Sequence, residues 1–509
     1  MNFKEAKDKD TIYQHIDDWT KNTFGPVFKF RDRQKEVIAD IIYAWLNNID
    51  DNILLNAPTG SGKSIIAITV AGVLSRYYDA TGYILISDLS LLQQYEDTVD
   101  KYLPHWAVIR GQQSYTCIVN GFNYTLGACK IMGINPTRID DSKKESSKFN
   151  ECIPYCEYVL ARDKAERANV TVCTYSFWII QQNMIRNSNN ISCSAFSKRD
   201  FTICDEAHKL LDIVQSHFSP RISKEDLVKF NLIFESSKNL YFSNSAKLSK
   251  EIESLYKDML AETDKDKLAE LIKSYSAILN NISEKTKHIL QDMTVHTINT
   301  SNTGSKREDK QKVKVNYKLM NACMWLTDCS QKFNDYCNII DKIDKKYIVK
   351  NDDPAAGKII FNCLDESYLM NSRFHKKCGK RLYMSATIPD EDTFKKDISV
   401  DSLKYIKMPV VFDYQKSPIF FVNEYRMSYK EKDTSFPHIA EMVADIFELY
   451  PAYKVLYRPG ATVSRRNCMI CCRINTVSEL YCTMILRRNR TAYLLISIQT
   501  TRFLSGLRW

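Results

Sequence analysis

At 509 residues the chain is several times the length of a typical domain, and its 44% hydrophobic and 26% charged residues describe an ordinary globular polypeptide. No apolar run reaches the roughly 18 residues that cross a bilayer, and the start MNFKEAKDKDTIYQH lacks a secretory leader's apolar core, which disfavours membrane and secreted classes and favours a cytoplasmic or nuclear location. The net charge of +10 is no argument for a nucleic-acid partner: residues 457–509 carry nine arginines, no lysine and one acid, Glu479, so that residues 1–456 hold only +2.

Along the chain, short apolar runs alternate with helix-like stretches. Strands are predicted at 52–56 (NILLN), 82–87 (GYILIS), 169–175 (NVTVCTY) and 201–204 (FTIC). Apolar runs separated by helices indicate a parallel sheet in an α/β domain. The stretch Ala57-Pro58-Thr59-Gly60-Ser61-Gly62-Lys63-Ser64 follows the first strand and precedes a helix, the setting of a phosphate-binding loop. Its glycines let the backbone curl so that N–H groups face one concavity, at a helix N-terminus that favours anions. Lys63 reaches β- and γ-phosphates in such a loop, and the Ser64 hydroxyl ligates Mg²⁺. Ala57 stands where the motif usually has its first glycine.

Asp205 and Glu206 close the strand at 201–204, followed by Ala207 and His208. Carboxylates at a strand's C-terminal edge sit beside the phosphate loop in such sheets, so Asp205 can hold Mg²⁺ and Glu206 can polarise an attacking water.

Sixteen cysteines without a secretory leader point to reduced thiols, metal ligands or catalysis. Cys117, Cys129, Cys152 and Cys156 are clustered, separated by eleven, twenty-two and three residues. That spacing alone leaves uncoordinated thiols, zinc and iron all open. The scattered cysteines read as small buried hydrophobes. Between 217 and 350, Leu248, Ile252, Leu255 and Met259, then Leu268, Leu271, Tyr275, Ile278 and Ile282, recur at helical spacing around the polar break 262–266, which predicts a helical hairpin. The polar segment 297–311 reads as a loop. Strand-like runs return at 358–361 and 381–384.

AxTGSGKS, Asp-Glu-Ala-His and Ser385-Ala386-Thr387, in this order, resemble motifs I, II and III of a superfamily 2 helicase. Phe30-Arg31-Asp32-Arg33-Gln34 resembles that family's adenine-side element, with Gln34 as base reader, and 89–94 (LSLLQQ) falls where motif Ia contacts the nucleic-acid backbone. Arg110 to Cys117, Cys129, Cys152-Ile153-Pro154-Tyr155-Cys156 and Ala165 to Thr171 resemble the DinG and XPD helicases, with Gln112 where that family often has arginine. The resemblance implies a 4Fe-4S cluster on Cys117, Cys129, Cys152 and Cys156 and a helical arch between motifs II and III, which are 180 residues apart here.

The implied organisation is an α/β chain with a RecA-like P-loop motor domain in three pieces (1–109, 162–216 and 351–400). A cysteine-cluster insert (110–161) and an arch insert (217–350) interrupt it, and a second RecA-like domain begins at 401–456, where 417–422 reads as a strand, 436–449 as a helix and 453–457 as the next strand. The segment 457–509 reads as an anomalous basic tail with the look of out-of-frame translation, and no Gln-x-x-Gly-Arg-x-x-Arg motif is present. The implied activity is ATP-dependent, 5′-to-3′ unwinding of DNA by a monomer on single-stranded or forked DNA, using ATP, Mg²⁺ and the cluster. Lys63, Asp205 and Glu206 are the catalytic set, and 57–64, Gln34, Asp205, His208, Ser385 and Thr387 the nucleotide contacts. Two other readings stand beside it: an ATP- and DNA-binding remnant without unwinding, and a zinc-containing P-loop ATPase.

Overall fold

The computed structural model describes residues 8–119, 121–127, 129, 155–183, 196–236, 241–300, 308–353, 357–388, 390–409, 438, 456–458, 481–486 and 492–495. The chain divides into two compact units, Met1–Pro409 and Val410–Trp509.

The first unit is built on a seven-stranded sheet, every adjacent pair of which is parallel. Its strands are β1 (Asn52–Asn56), β2 (Gly82–Ile86), β3 (Ala107–Ile109), β4 (Val170–Thr174), β5 (Phe201–Asp205), β9 (Lys380–Ser385) and β10 (Lys404–Lys407), in the order β10-β1-β9-β5-β2-β4-β3. The predicted strands fall on these positions to within a residue or two. Side chains alternate between two cores, as the two-residue period of a strand requires. Ile53, Leu55, Ile84, Ile86, Val170, Val172, Phe201 and Ile203 face one core, and Leu54, Tyr83, Leu85, Cys173 and Cys204 the other.

The first core is closed by α1 (Lys9–Phe24), α2 (Gln34–Leu46), α3 (Lys63–Tyr77) and α4 (Leu89–Tyr102). Asp8 caps α1 by accepting from the Thr11 N–H, and Ile12, Ile16 and Trp19 line its buried face. Gly72 of α3 lets that helix approach α1 closely, since a Cβ there would sit 2.0 Å from the Trp19 ring. The opposite face is covered by α5 (Glu157–Arg167), α6 (Tyr175–Asn183) and α7 (Leu210–His217).

Beyond α7 the chain turns through β6 (Arg221–Ser223) into α8 (Lys224–Ser236), α9 (Ser245–Ala261), α10 (Lys265–Thr300) and α11 (Glu308–Ile340). The helices α9 and α10 flank the polar break at 262–264. Antiparallel packing of α10 on α11 is fixed by Ser276 and Asn280 donating to Asn334 Oδ1 at 2.8 and 2.6 Å, and by Asn334 donating back to Asn280 at 2.6 Å. The Tyr275 and Phe333 rings meet edge-on beside them. Of the residues expected as a loop over 297–311, those to Thr300 belong to α10 and those from Glu308 to α11, and 301–307 lie outside the described residues. Lysine, glutamate and glutamine are good helix formers, so polarity alone does not end a helix already propagating.

At the base of these helices, β7 (Ile348–Asp353) and β6 pair antiparallel on either side of β8 (Lys358–Cys363). The strand β6 and the start of β7 thus fall within the 217–350 segment whose periodicity is otherwise helical.

In the second unit, β11 (Leu456–Arg458) runs parallel to β12 (Tyr481–Leu486), which pairs antiparallel with β13 (Ala492–Leu495). The strand expected at 453–457 overlaps β11. The strand expected at 417–422 lies outside the described residues, as does the helix expected over 436–449 except for His438.

Candidate nucleotide-binding site

Three strands deliver the motifs to one edge of the sheet. β9 lies between β1 and β5, so the Ser-Ala-Thr turn is wedged between the phosphate loop after β1 and the acidic pair after β5. The loop leaves β1 at Ala57, whose N–H donates to the Ser385 carbonyl at 2.9 Å, and enters α3 at Lys63. Gly62 has φ +80° and ψ 39°, and a Cβ there would fall 2.3 Å from Gln34 Nε2. Both facts require glycine.

Gln34 is 3% exposed. Its Nε2 donates to the Ser61 carbonyl at 2.7 Å and its Oε1 accepts from the Arg31 N–H at 2.7 Å, while the Arg31 guanidinium donates to the Gly60 carbonyl. The adenine-side element is thereby tied to the phosphate loop itself. Beneath the loop, the fully buried Ser61 hydroxyl meets no hydrogen-bond partner among the described residues.

Lys63 Nζ lies 3.4 Å from the Ala57 carbonyl and 3.9 Å from Glu206 Oε1. Asp205 is 2% exposed and held from three sides. Its Oδ1 accepts from the Glu206 N–H at 3.0 Å, its Oδ2 from the Tyr95 hydroxyl at 3.0 Å, and its main-chain carbonyl from the Tyr175 hydroxyl at 2.9 Å. Burial pushes the Asp205 carboxyl above its ordinary value, with the Tyr95 hydrogen bond opposing. Glu206 turns out of the strand at φ 53°, a left-handed conformation uncommon outside glycine. His208 Nδ1 stands 2.9 Å from Ser385 Oγ and 3.3 Å from Glu206 Oε2, and burial lowers its pKa, keeping the ring neutral at pH 7. Ser385 Oγ in turn accepts from the Thr387 N–H at 3.2 Å.

The structure therefore brings together Gln34, the 57–64 loop, Asp205, Glu206, His208, Ser385 and Thr387. The arrangement fits a nucleoside triphosphate and its Mg²⁺: a glycine-pinched loop at a helix N-terminus, one lysine, one hydroxyl at Ser64 and two carboxylates. Tyr95 also belongs to the site and is marked by no motif, and Arg31, within the adenine-side element, joins it through its bonds to Gln34 and Gly60. Tyr95 sits at the apolar spacing of α4 with Leu92 and Val99, and so reads as core.

The cysteines present a second constellation. Cys117, Cys129 and Cys156 are each buried, and Cys152 lies outside the described residues. Cys129 and Cys156 neighbour Tyr124, whose ring packs at a tilt against Tyr158 with centroids 4.2 Å apart, and Cys117 lies beside Gly127. The Tyr158 hydroxyl accepts from Gln112 at 3.1 Å. Among the described residues, no group of three or more His, Cys, Asp or Glu side chains is placed to hold a metal ion. Of the scattered cysteines, Cys173, Cys204, Cys323, Cys329, Cys363 and Cys378 are buried, and burial pushes the thiols of Cys323, Cys329 and Cys378 up to about 12.

Residues 27–231 match the family model described as "Type III restriction enzyme, res subunit". No curated protein matches the chain. Among solved structures, one titled XPD helicase is similar at 13% identity and a TM-score of 0.43, over 75% of this chain and 63% of that one, so the chain spans less than two thirds of its length. A structure titled truncated XPD gives 12% identity and a TM-score of 0.42, over 74% of this chain and 99% of that one. Xpd4 of S. tokodaii gives 14% and 0.45, over 88% and 80%. No helix among the described residues is long and apolar enough to cross a membrane. The all-parallel sheet and the loop geometry at Gly62 make the first unit an α/β domain with a phosphate-binding loop at its sheet edge, and the family match over 27–231 covers the strands that carry that loop and the acidic pair.

Proposed function

We propose that this chain is an ATP-dependent DNA helicase of the DinG/XPD type, moving 5′ to 3′ on single-stranded or forked DNA. One observation carries the reading: Ser385 bonds through its carbonyl to the phosphate loop at Ala57 and through its hydroxyl to His208, so motifs I, II and III form one connected unit. In this reading the loop N–H groups and Lys63 bind the β- and γ-phosphates, and Gln34 lies on the adenine side. Ser64 and Asp205 would hold Mg²⁺, which when bound supplies charge neutralisation at the phosphates. Glu206, turned towards Lys63, orients and polarises the attacking water. Loss of the γ-phosphate changes the charge facing Glu206 and His208, and the 2.9 Å contact to Ser385 passes that change to β9 and the turn after it.

Cys117, Cys129, Cys152 and Cys156 would hold a 4Fe-4S cluster within 110–161, the thiolate set such a cluster takes. The helices of 217–350 would form an arch beside it, and 401–456 would open a second motor domain.

The test is ATP hydrolysis by the full chain with and without single-stranded DNA. DNA-stimulated turnover supports the proposal, and ATP bound without turnover favours a nucleotide- and DNA-binding protein that does not unwind. Anaerobic purification with iron and sulfide analysis tests the cluster. Absorption near roughly 400 nm supports iron-sulfur over zinc.

A further inference from the structure

We infer that Tyr95 is a positioning residue for the metal-nucleotide complex, acting through Asp205. The inference rests on the nucleotide-site reading above and concerns a residue that belongs to none of the motifs.

The helix α4 starts at the Asp88 cap and buries Leu92, Tyr95 and Val99 on one stripe. A leucine or phenylalanine would fill the Tyr95 position as core equally well. The hydroxyl is what distinguishes it. Tyr95 is 1% exposed, and its hydroxyl donates at 3.0 Å to Oδ2 of a carboxylate that is itself 2% exposed. The tyrosine therefore touches the β5 side chain assigned to Mg²⁺.

The Glu206 N–H occupies Oδ1 and the Tyr95 hydroxyl Oδ2, so the plane of the carboxylate is set from two sides, while Tyr175 fixes the main chain of the same residue. A carboxylate held by one donor only can rotate about its last torsion. A carboxylate held by two presents its remaining lone pairs in one direction before any ligand arrives. Orientation by outer partners of this kind changes metal affinity by about 10- to 100-fold in protein sites.

The test uses the full chain and its Tyr95→Phe variant, which keeps the ring and removes only the hydroxyl. ATP affinity is measured by calorimetry twice, with saturating Mg²⁺ and with EDTA. The inference expects affinity for Mg²⁺·ATP to fall about tenfold in Tyr95→Phe while affinity for ATP in EDTA stays within about twofold of wild type. A titration with Mn²⁺ followed by electron paramagnetic resonance supplies a second readout, in which the variant retains less bound Mn²⁺ at equal ATP. An unchanged Mg²⁺·ATP affinity overturns the inference. An equal loss with and without metal also overturns it, because it marks a packing role. Failure of wild type to bind ATP under either condition is a different result, which removes the nucleotide-site reading itself. A Tyr95→Leu variant that folds should behave as Tyr95→Phe does, and a wild-type Mg²⁺ response from it would overturn the inference.

Discussion

Gly62→Ala probes the geometry on which the nucleotide site depends. At φ +80° and ψ 39° the position is left-handed, and an added Cβ costs roughly 1–2 kcal/mol there before any contact is considered. The same Cβ would lie 2.3 Å from Gln34 Nε2, so the Gln34 amide has to move. That amide donates to the Ser61 carbonyl and accepts from Arg31, both at 2.7 Å, and displacing it forfeits at least one buried hydrogen bond worth about 1 kcal/mol net. The free loop can relax around the intruding methyl, whereas the phosphate cradle cannot, so the penalty of about 2.5 kcal/mol falls on binding. It corresponds to a roughly 70-fold loss of ATP affinity. Calorimetric titration of wild type and Gly62→Ala with Mg²⁺·ATP measures it. Gln34→Ala makes room for the methyl, and in that background Gly62→Ala should cost only the backbone part, roughly tenfold. An equal penalty in both backgrounds would show that the Gln34 contact plays no part, and no penalty in either would refute the left-handed geometry.

Arg199 is 8% exposed and donates to the Gly82 and Ala165 carbonyls and Thr171 Oγ1 at 2.8–3.0 Å, with its guanidinium 4.4 Å from the Tyr83 ring. Arg199→Met should cost about 3 kcal/mol and lower the melting temperature by about 3–4 °C; an unchanged melting temperature would contradict this role. His375 donates from Nε2 to the Ile398 carbonyl at 2.6 Å, and burial depresses its pKa to about 4. The unfolded chain therefore binds the extra proton first, so this contribution is complete above about pH 6.5 and is lost as pH falls towards 4, by about 3 kcal/mol in all. His375→Gln should remove that part of the acid slope, and identical acid slopes in the two proteins would exclude it. Asp88 caps α4 by accepting from the Leu91 N–H and the Ser90 hydroxyl, so Asp88→Ala should weaken the helix start by about 1 kcal/mol, read as faster amide exchange at Leu91. Hydrogen bonds from Ser90 and Leu91 hold the Asp88 carboxyl down at about 2, so the cap is complete above the ordinary carboxylate range and is lost as pH falls towards 2.

The sheet was legible because its strands are buried on both faces. NILLN, GYILI and FTIC leave few alternatives, and each is followed by residues whose chemistry needs a strand's C-terminal edge. The phosphate loop, Asp205 and Glu206 followed from local spacing, and His208 from the resemblance. What was illegible depends on distance along the chain. Tyr95 meets Asp205 across 110 residues and sits at helical core spacing, so its hydroxyl carries no local signal. Arg199 stands just before β5, where a charged residue reads as a solvated turn, yet its partners come from β2, β4 and α5. Gln34 was placed on the adenine side by resemblance, while its bond to the Ser61 carbonyl depends on how α2 packs against the loop. The ends of α10 and α11 were hidden for the opposite reason, since residues that favour water also favour helix.

Single-strand-dependent ATP hydrolysis by the full chain, compared with Lys63→Ala and Glu206→Gln, tests the central claim most directly. The account expects wild type to hydrolyse Mg²⁺·ATP faster when single-stranded DNA is added. Lys63→Ala should bind ATP far more weakly, and Glu206→Gln should bind it normally with turnover reduced by about 10²-fold or more. Wild-type turnover in Glu206→Gln, or a folded chain that binds ATP and shows no DNA-stimulated hydrolysis, would contradict it.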